Sequence, residues 1–289
     1  MTALAAIAVT GGAGFLGAAV ARAARDGGHR VVTIDVAGGP DVVADVRDRE
    51  AVTAAFEGID AVVHAAAVVG VEAVDRDLPA AASVNVVGAV TVFESAKDAG
   101  VRRVVDVSSE EVYGTPPGSD PLTEDAPLAP VSSYGVLKAA VERLGRRYPG
   151  CVAVRLPWVY GAGYPRSRPP QRWIDDAAQG RPSAPSAGAD HAVDLLHVDD
   201  AARALLGVAV APTLRHAVYN AGSGAATTLG DAAAVLRRLA PAWHVELRAG
   251  SLPGIAARGA LSTARIRDEL SWRPDLSLEE GLRRTLHGR

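Results

Sequence analysis

Tyr134 and Lys138 stand four residues apart in Tyr-Gly-Val-Leu-Lys, a spacing that puts both side chains on one face of a helix. A phenol has a reference pKa of about 10 and is a poor base near neutrality. Lowering it by ~3 units takes about 4 kcal/mol of preferential stabilisation of the phenolate. A neighbouring ammonium is the kind of group that supplies it. Ser109 lies 25 residues before Tyr134, at the end of the β-rich run Val104-Val105-Asp106-Val107-Ser108. Ligand sites of open parallel sheets form at such strand ends, so the Ser109 hydroxyl is placed to hold a substrate oxygen beside the phenol. Glu110 and Glu111 follow at once. A carboxylate beside an acidified carbon acts as a base for elimination or inversion; the alternative is that one or both glutamates face solvent after the strand.

A second set of residues lies upstream. Gly11, Gly14 and Gly17 form G-x-x-G-x-x-G between the first apolar run and the first helical stretch. Glycines so placed let the chain turn tightly and bring bare backbone against a pyrophosphate, which sits at the helix N-terminus where free N–H groups and the dipole favour an anion. Asp35 comes 18 residues after Gly17, close to the ~20 expected for the carboxylate that takes the adenosine ribose hydroxyls. Its charge repels a 2′-phosphate, and no Arg or Lys lies between Ile34 and Asp45 to attract one. NAD is therefore expected rather than NADP. Asp45, before Val46, either faces the adenine or caps a loop. Ala65 and Ala66 are small enough to admit the cofactor's backbone, and the preceding His64 is expected to pack rather than react.

The elements that must hold these residues follow from periodicity. Short apolar runs at 5–10, 30–35, 61–64, 104–108 and 152–156 have strand character, and the stretches 14–26, 48–56, 83–99 and 133–147 have helical character. Strands separated by helices mean βαβ units and a parallel sheet. Aromatics make up 4% of a chain that is 48% hydrophobic, so the core is built mainly from Ala, Val and Leu, which suits strands covered on both faces. Beyond residue 160 the segments 161–170 and 180–190 are Pro/Gly/Ser-rich and flank a short helix at 171–179. Loops of this kind inside an enzyme form a substrate wall or lid. The α/β pattern resumes with strands at 195–198 and 217–220 around a helix at 199–210. Two helical stretches follow, near 262–270 and 277–286.

Composition excludes several classes. A net charge of −3 leaves no basic field for a nucleic-acid backbone. The single cysteine, Cys151, excludes an internal disulfide framework and a cysteine-based zinc site, and it points to a cytoplasmic protein. The most apolar run, 61–71, is too short for a membrane span and is interrupted by His64.

Taken together, Thr10-Gly11-Gly12-Ala13-Gly14-Phe15-Leu16-Gly17, Asp35, His64-Ala65-Ala66-Ala67, Asn85-Val86-Val87-Gly88, the run from Ser108 to Gly114, Tyr134 to Lys138, Arg155-Leu156-Pro157-Trp158-Val159-Tyr160-Gly161, His197-Val198-Asp199-Asp200, Tyr219-Asn220-Ala221-Gly222 and Glu269-Leu270-Ser271-Trp272-Arg273-Pro274 resemble the extended short-chain dehydrogenase/reductases, the NAD-dependent epimerase/dehydratase group. The resemblance spans essentially the whole chain. It implies an α/β fold with a Rossmann-type doubly wound parallel sheet and a small C-terminal substrate-binding subdomain. Residues 1–160 would form the NAD-binding domain, with 194–222 returning to it, and 161–193 and 223–289 the subdomain. It implies Ser109, Tyr134 and Lys138 as the catalytic set, Lys138 also holding the nicotinamide ribose, and Phe15, Leu16, Val46 and Pro157 beside the cofactor. Ser109-Glu110-Glu111 is similar to the pattern of 4,6-dehydratases and uronate decarboxylases, which makes Glu111 the residue most informative about reaction type. Glu110, Arg155 and Trp158 fall to the substrate, with Arg166 to Arg172 as further positive charge.

The activity so implied is transient hydride transfer from a nucleotide-sugar carbon to bound NAD, with no net redox. The alternative is a ketoreductase or alcohol dehydrogenase with net redox, suggested by Trp158 where many members carry Asn and by Val193 where many carry Arg. A homodimer through the helices at 83–99 and 133–147 is also implied.

Overall fold

The Val- and Ile-rich runs of the first half form strands covered on both faces, as their near-continuous apolarity requires. The computed structural model describes residues 4–115, 120–184 and 186–288. In chain order the elements are β1 (Ala6–Thr10), α1 (Phe15–Asp26), β2 (Arg30–Asp35), β3 (Val42–Val43), α2 (Arg49–Ala55), β4 (Ala61–His64), α3 (Val71–Arg76), α4 (Leu78–Ala82), α5 (Gly88–Asp98), β5 (Arg103–Ser109), α6 (Ser133–Gly145), β6 (Cys151–Leu156), β7 (Trp158–Tyr160), α7 (Gln171–Ala178), β8 (Ala192–His197), α8 (Val198–Val210), β9 (Val218–Asn220), β10 (Ala226–Thr228), α9 (Leu229–Leu239), α10 (Ala264–Leu270) and α11 (Leu278–Leu286).

Seven strands make the main sheet in the order β3-β2-β1-β4-β5-β6-β9, and every pairing in it is parallel. One face is packed by α1 and α8 through Val20, Ala24, Leu205 and Val208. The other is packed by α2, α5 and α6 through Val52, Val92, Phe93 and Val141. Strand order reverses between β1 and β4, so the crevice for a ligand opens beyond their C-terminal ends.

A smaller sheet, β10-β8-β7, lies with α7, α9 and α11 around Trp158, Trp173, Trp243, Leu229, Leu236 and Leu282. This corrects the expected boundary. Of the segment 194–222, α8 and β9 return to the main sheet, but β8 pairs with β7 and β10. The cause is visible along β8. Val193 and Leu195 enter the small core and Leu196 the large one, so the strand is buried from Val193 to His197 and reads from sequence like a member of the main sheet.

Two helical features differ from expectation. The helix expected at 83–99 begins earlier, because α4, a wide turn at Ser83–Val87 and α5 run on as one helical stretch, Leu78–Asp98. By length and mean hydropathy, 1.3, that stretch is long and apolar enough to cross a bilayer, which the sequence reading did not anticipate; here Ala89, Val92, Phe93 and Ala96 are buried in the core. Helix α9 was not expected at all. Its signal was present as Thr228-Leu229-Gly230-Asp231, in which the Thr228 hydroxyl caps the Asp231 N–H at 3.0 Å and the Asp231 carboxylate caps the Thr228 N–H at 3.2 Å.

Candidate active site

The C-terminal ends of β1, β2, β4, β5 and β6 surround a cleft of about 730 Å³. At one wall the glycine turn is fixed by space. Gly11 has φ +68° and lies so near the Ala65–Ala66 backbone that a Cβ would come within 2.7 Å of the Ala66 nitrogen. A Cβ on Gly17 would strike the Gly11 carbonyl. Gly14 is the N-cap of α1 and no side chain caps it, so the first-turn N–H groups stay available to a ligand. This cradle fits a dinucleotide pyrophosphate. Gly17→Ala is expected to leave the purified protein with less than about a tenth of the wild-type cofactor content, because the collision is with backbone that cannot step aside; acid release and quantification of the nucleotide would measure it.

Asp35 ends β2 in the same cleft. Its Oδ2 accepts the Ala13 N–H at 3.1 Å and its Oδ1 the Val36 N–H at 2.7 Å, which locks the carboxylate beside the glycine turn. Asp45 and Val46 also line the cleft, as do Phe15, Leu16, Ala65, Ala66 and Pro157. Arg47, two residues beyond Asp45, lines it too. Its guanidinium is committed to the Asp45 carboxylate, with Nε 2.9 Å away, and to Ser83 Oγ at 3.2 Å. The hydrogen bond from Arg47 holds the Asp45 carboxyl below its ordinary pKa. His64 is buried beneath the cleft with Nδ1 2.7 Å from Thr10 Oγ1, and burial depresses its pKa to about 3. It is a neutral packing group.

Tyr134 and Lys138 come from the first two turns of α6, which Ser132 caps through the Gly135 N–H at 3.0 Å. Both are largely buried and line the cleft. The Lys138 ammonium lies 5.9 Å from the Tyr134 ring centroid and donates to the Val107 carbonyl at 2.6 Å. Ser109 ends β5 and accepts the Glu111 N–H at 3.2 Å, which leaves its own proton for another acceptor. Ser109, Tyr134 and Lys138 therefore share one cleft with the glycine turn and Asp35. An ammonium beside a phenol, with a hydroxyl to hold the reacting oxygen, is equipped to take a proton from an alcohol.

The two glutamates part company. Glu110 is 3% exposed, lines the cleft, and has one oxygen, Oε2, without a hydrogen-bond partner among the described residues. Burial pushes its pKa up to about 8, with Arg258 opposing and Asp194 and Glu111 adding. At neutral pH it is a proton donor. Glu111, expected as the base, also lines the cleft but is held in a two-pronged ion pair by Arg258, at 3.0 and 3.1 Å.

Arg155 is not a substrate contact. It is 1% exposed and absent from the cleft wall, because it lies on β6 beneath α6, where it meets the buried Glu142 carboxylate at 2.9 and 2.7 Å and the Tyr113 hydroxyl at 2.8 Å. Arg155→Leu strands that carboxylate and is expected to cost about 3–5 kcal/mol of stability in denaturant unfolding. The substrate-side cations come from the loop at 161–170. The Arg168 guanidinium lies 4.1 Å over the Trp158 ring, and that of Arg166 lies 5.3 Å over the Tyr164 ring and presses on the bare Gly70 backbone. Tyr164 meets Phe15 edge-on at 5.2 Å, so the loop reaches across to the glycine turn. Val193 is buried in the small core, away from the cleft. Asp106, which sequence reasoning passed over, is fully buried on β5, and burial pushes its pKa to about 6 against the opposing charge of Lys138.

Comparison with known proteins yields a consistent picture. The model of the NAD dependent epimerase/dehydratase family matches residues 7–222. The chain is 32% identical over 312 residues to the UDP-glucose 4-epimerase of Mycolicibacterium smegmatis, covering 96% of each, and 31% identical over 339 residues to a dTDP-glucose 4,6-dehydratase of Neisseria gonorrhoeae, covering 97% of this chain and 94% of the other. Among solved structures it superimposes on MoeE5 in complex with UDP-glucose and NAD with a TM-score of 0.87 at 28% identity, over 97% of both chains.

Proposed function

Starting from the fact that the chain belongs to the NAD-dependent epimerase/dehydratase family, we propose that its substrate is a nucleotide sugar and that each turnover begins and ends with NAD in place. The enzyme is NAD-dependent. Gly11, Gly14 and Gly17 would hold the pyrophosphate, Asp35 the adenosine ribose and Lys138 the nicotinamide ribose. When bound, NAD supplies the hydride acceptor. Tyr134 Oη takes the proton from a sugar hydroxyl, Lys138 stabilises the phenolate it needs to do so, and Ser109 holds the same sugar oxygen. In an elimination Glu110, protonated at its buried carboxyl, would give that proton to the departing hydroxyl, which leaves as water, and take one from the carbon acidified by oxidation; an inversion would not use it. Arg166 and Arg168 offer guanidinium groups to the substrate's phosphates, a role for which Arg suits through bidentate contacts.

The observation that carries this reading is the single cleft that contains the glycine turn, Asp35, Tyr134, Lys138, Ser109 and the buried Glu110. Its test is the nucleotide content of the protein as purified. About one NAD per chain, with binding of UDP or dTDP to that form, is the expected result; protein that emerges empty and turns over only with added NAD(P)H would replace it with the net-redox reading, which Trp158 in the cleft wall favours.

A cytoplasmic homodimer completes the proposal. The one cysteine, Cys151, is free, and Leu78, Val87, Val131 and Val136 expose apolar side chains on or beside the helical run Leu78–Asp98 and α6. Light scattering at twice the monomer mass supports the dimer, and a monomer rejects it.

A further inference from the structure

Glu111 has no oxygen to spare. Its Oε1 accepts from Arg258 Nη1 at 3.0 Å, and its Oε2 accepts from Arg258 Nη2 at 3.1 Å and from Ser132 Oγ at 2.8 Å. Arg258 is itself buried and donates its Nε to the Gly114 carbonyl at 2.7 Å. Arg258 thus grips both ends of the turn Glu110–Tyr113. Ser132 in turn caps α6, whose second residue is Tyr134. The first turn of α6 also rests directly on Glu111, for a Cβ on Gly135 would come within 2.6 Å of the Glu111 carbonyl oxygen. Contacts therefore run without a gap from Arg258 through Glu111 and Ser132 to the turn that carries the phenol.

We infer that Glu111 is a positioning residue, the middle of a half-buried brace that Arg258 completes from the far end of the chain, and that it sets Tyr134 over the cleft instead of exchanging a proton with the substrate. Three hydrogen bonds already occupy this carboxylate, two of them charge-assisted from Arg258, and protonating it would weaken that two-pronged contact in a half-buried setting. A brace has different consequences. An N-cap hydroxyl anchors the entry of its helix, and displacing a reacting group by about 1 Å costs on the order of 10²-fold in rate. The inference rests on Tyr134 as the base, and the test separates the two.

Holoenzyme carrying Glu111→Gln, Glu111→Ala, Ser132→Ala, Glu111→Ala with Ser132→Ala, or Tyr134→Phe is assayed with UDP-glucose and dTDP-glucose as probes. Gln keeps an acceptor for Ser132 but removes the basic carboxylate. With a brace, Glu111→Gln keeps more than about a tenth of kcat, Glu111→Ala loses on the order of 10²-fold with KM within about twofold, Ser132→Ala loses about tenfold, and Ser132→Ala adds nothing on top of Glu111→Ala. With a proton-transfer role, Glu111→Gln and Glu111→Ala fall equally, by about 10²–10⁴, and Ser132→Ala keeps the wild-type rate; that pattern overturns the inference. Ser132→Ala leaves the Arg258–Glu111 pair intact and keeps the test open if a Glu111 variant does not fold. A crystal structure of Glu111→Ala or Ser132→Ala reads the same point without turnover: Tyr134 displaced by about 1 Å supports the brace, and Tyr134 unmoved overturns it. Undiminished turnover in Tyr134→Phe would sink the proposed function instead.

Discussion

Tyr134→Phe is expected to lower kcat by about 10³-fold, the mid-range for loss of a positioned proton-transfer group, while bound NAD stays at the wild-type level. The substitution removes one oxygen. It leaves the ring packed against Val74 and Ala81, so the helix keeps its seat and Lys138 its contact with the Val107 carbonyl. The glycine turn and Asp35, which would carry the cofactor's pyrophosphate and ribose, are untouched. Loss of turnover with retention of NAD separates chemistry from binding, and steady-state kinetics with nucleotide quantification on one preparation measures both. A variant that loses NAD and activity in proportion would place Tyr134 in cofactor retention alone.

Glu110→Gln is expected to raise stability at alkaline pH and to cost activity. In the fold, burial pushes the Glu110 pKa from the ordinary 4.5 to about 8. Between those values the unfolded chain ionises the carboxyl while the folded chain keeps the proton, so the native state binds more protons and stability falls as pH rises through the window. Each pKa unit corresponds to 1.36 kcal/mol, which makes the penalty near pH 8 several kcal/mol, to order of magnitude. Glutamine is neutral at all these pH values and removes this penalty, so stability of the variant should decline less with pH than that of the wild type. The buried Glu110 Oε2 has no partner among the described residues, and on the proposed role as proton donor the loss of this carboxyl is expected to lower turnover by about 10²-fold or more. A residue that destabilises its fold and is kept by its chemistry is the usual stability–activity compromise. Wild-type activity in Glu110→Gln would remove it from the mechanism and leave an epimerisation that Tyr134, Lys138 and Ser109 perform without it.

What could be read in the sequence was whatever depended on short spacing. Tyr134 and Lys138 are one helical turn apart, Gly11, Gly14 and Gly17 share one turn, and Asp35 ends the adjacent strand. All meet in the cleft. The glutamates show where this stops. Both line the cleft; which of them has its carboxylate committed depends on Arg258, 147 residues further along the chain from Glu111, and no local pattern announces that contact. Arg155 failed similarly. A charged residue in a motif next to Pro157 and Trp158 suggested substrate, but strand β6 turns it toward Glu142 on α6. The main sheet was legible because each strand is a separate apolar run. The small sheet was not, since β7 and β10 are three residues each and β8 is buried against two cores.

Central to the account is that hydride leaves the sugar and returns to it within one enzyme-bound cycle. A nucleotide hexose fully deuterated on the sugar ring, turned over by the holoenzyme without added nicotinamide, tests this most directly by mass spectrometry of product and cofactor. The account predicts that the transferred deuterium ends in the sugar product and that no free reduced nicotinamide accumulates. Deuterium appearing in released NADH in proportion to product would contradict it.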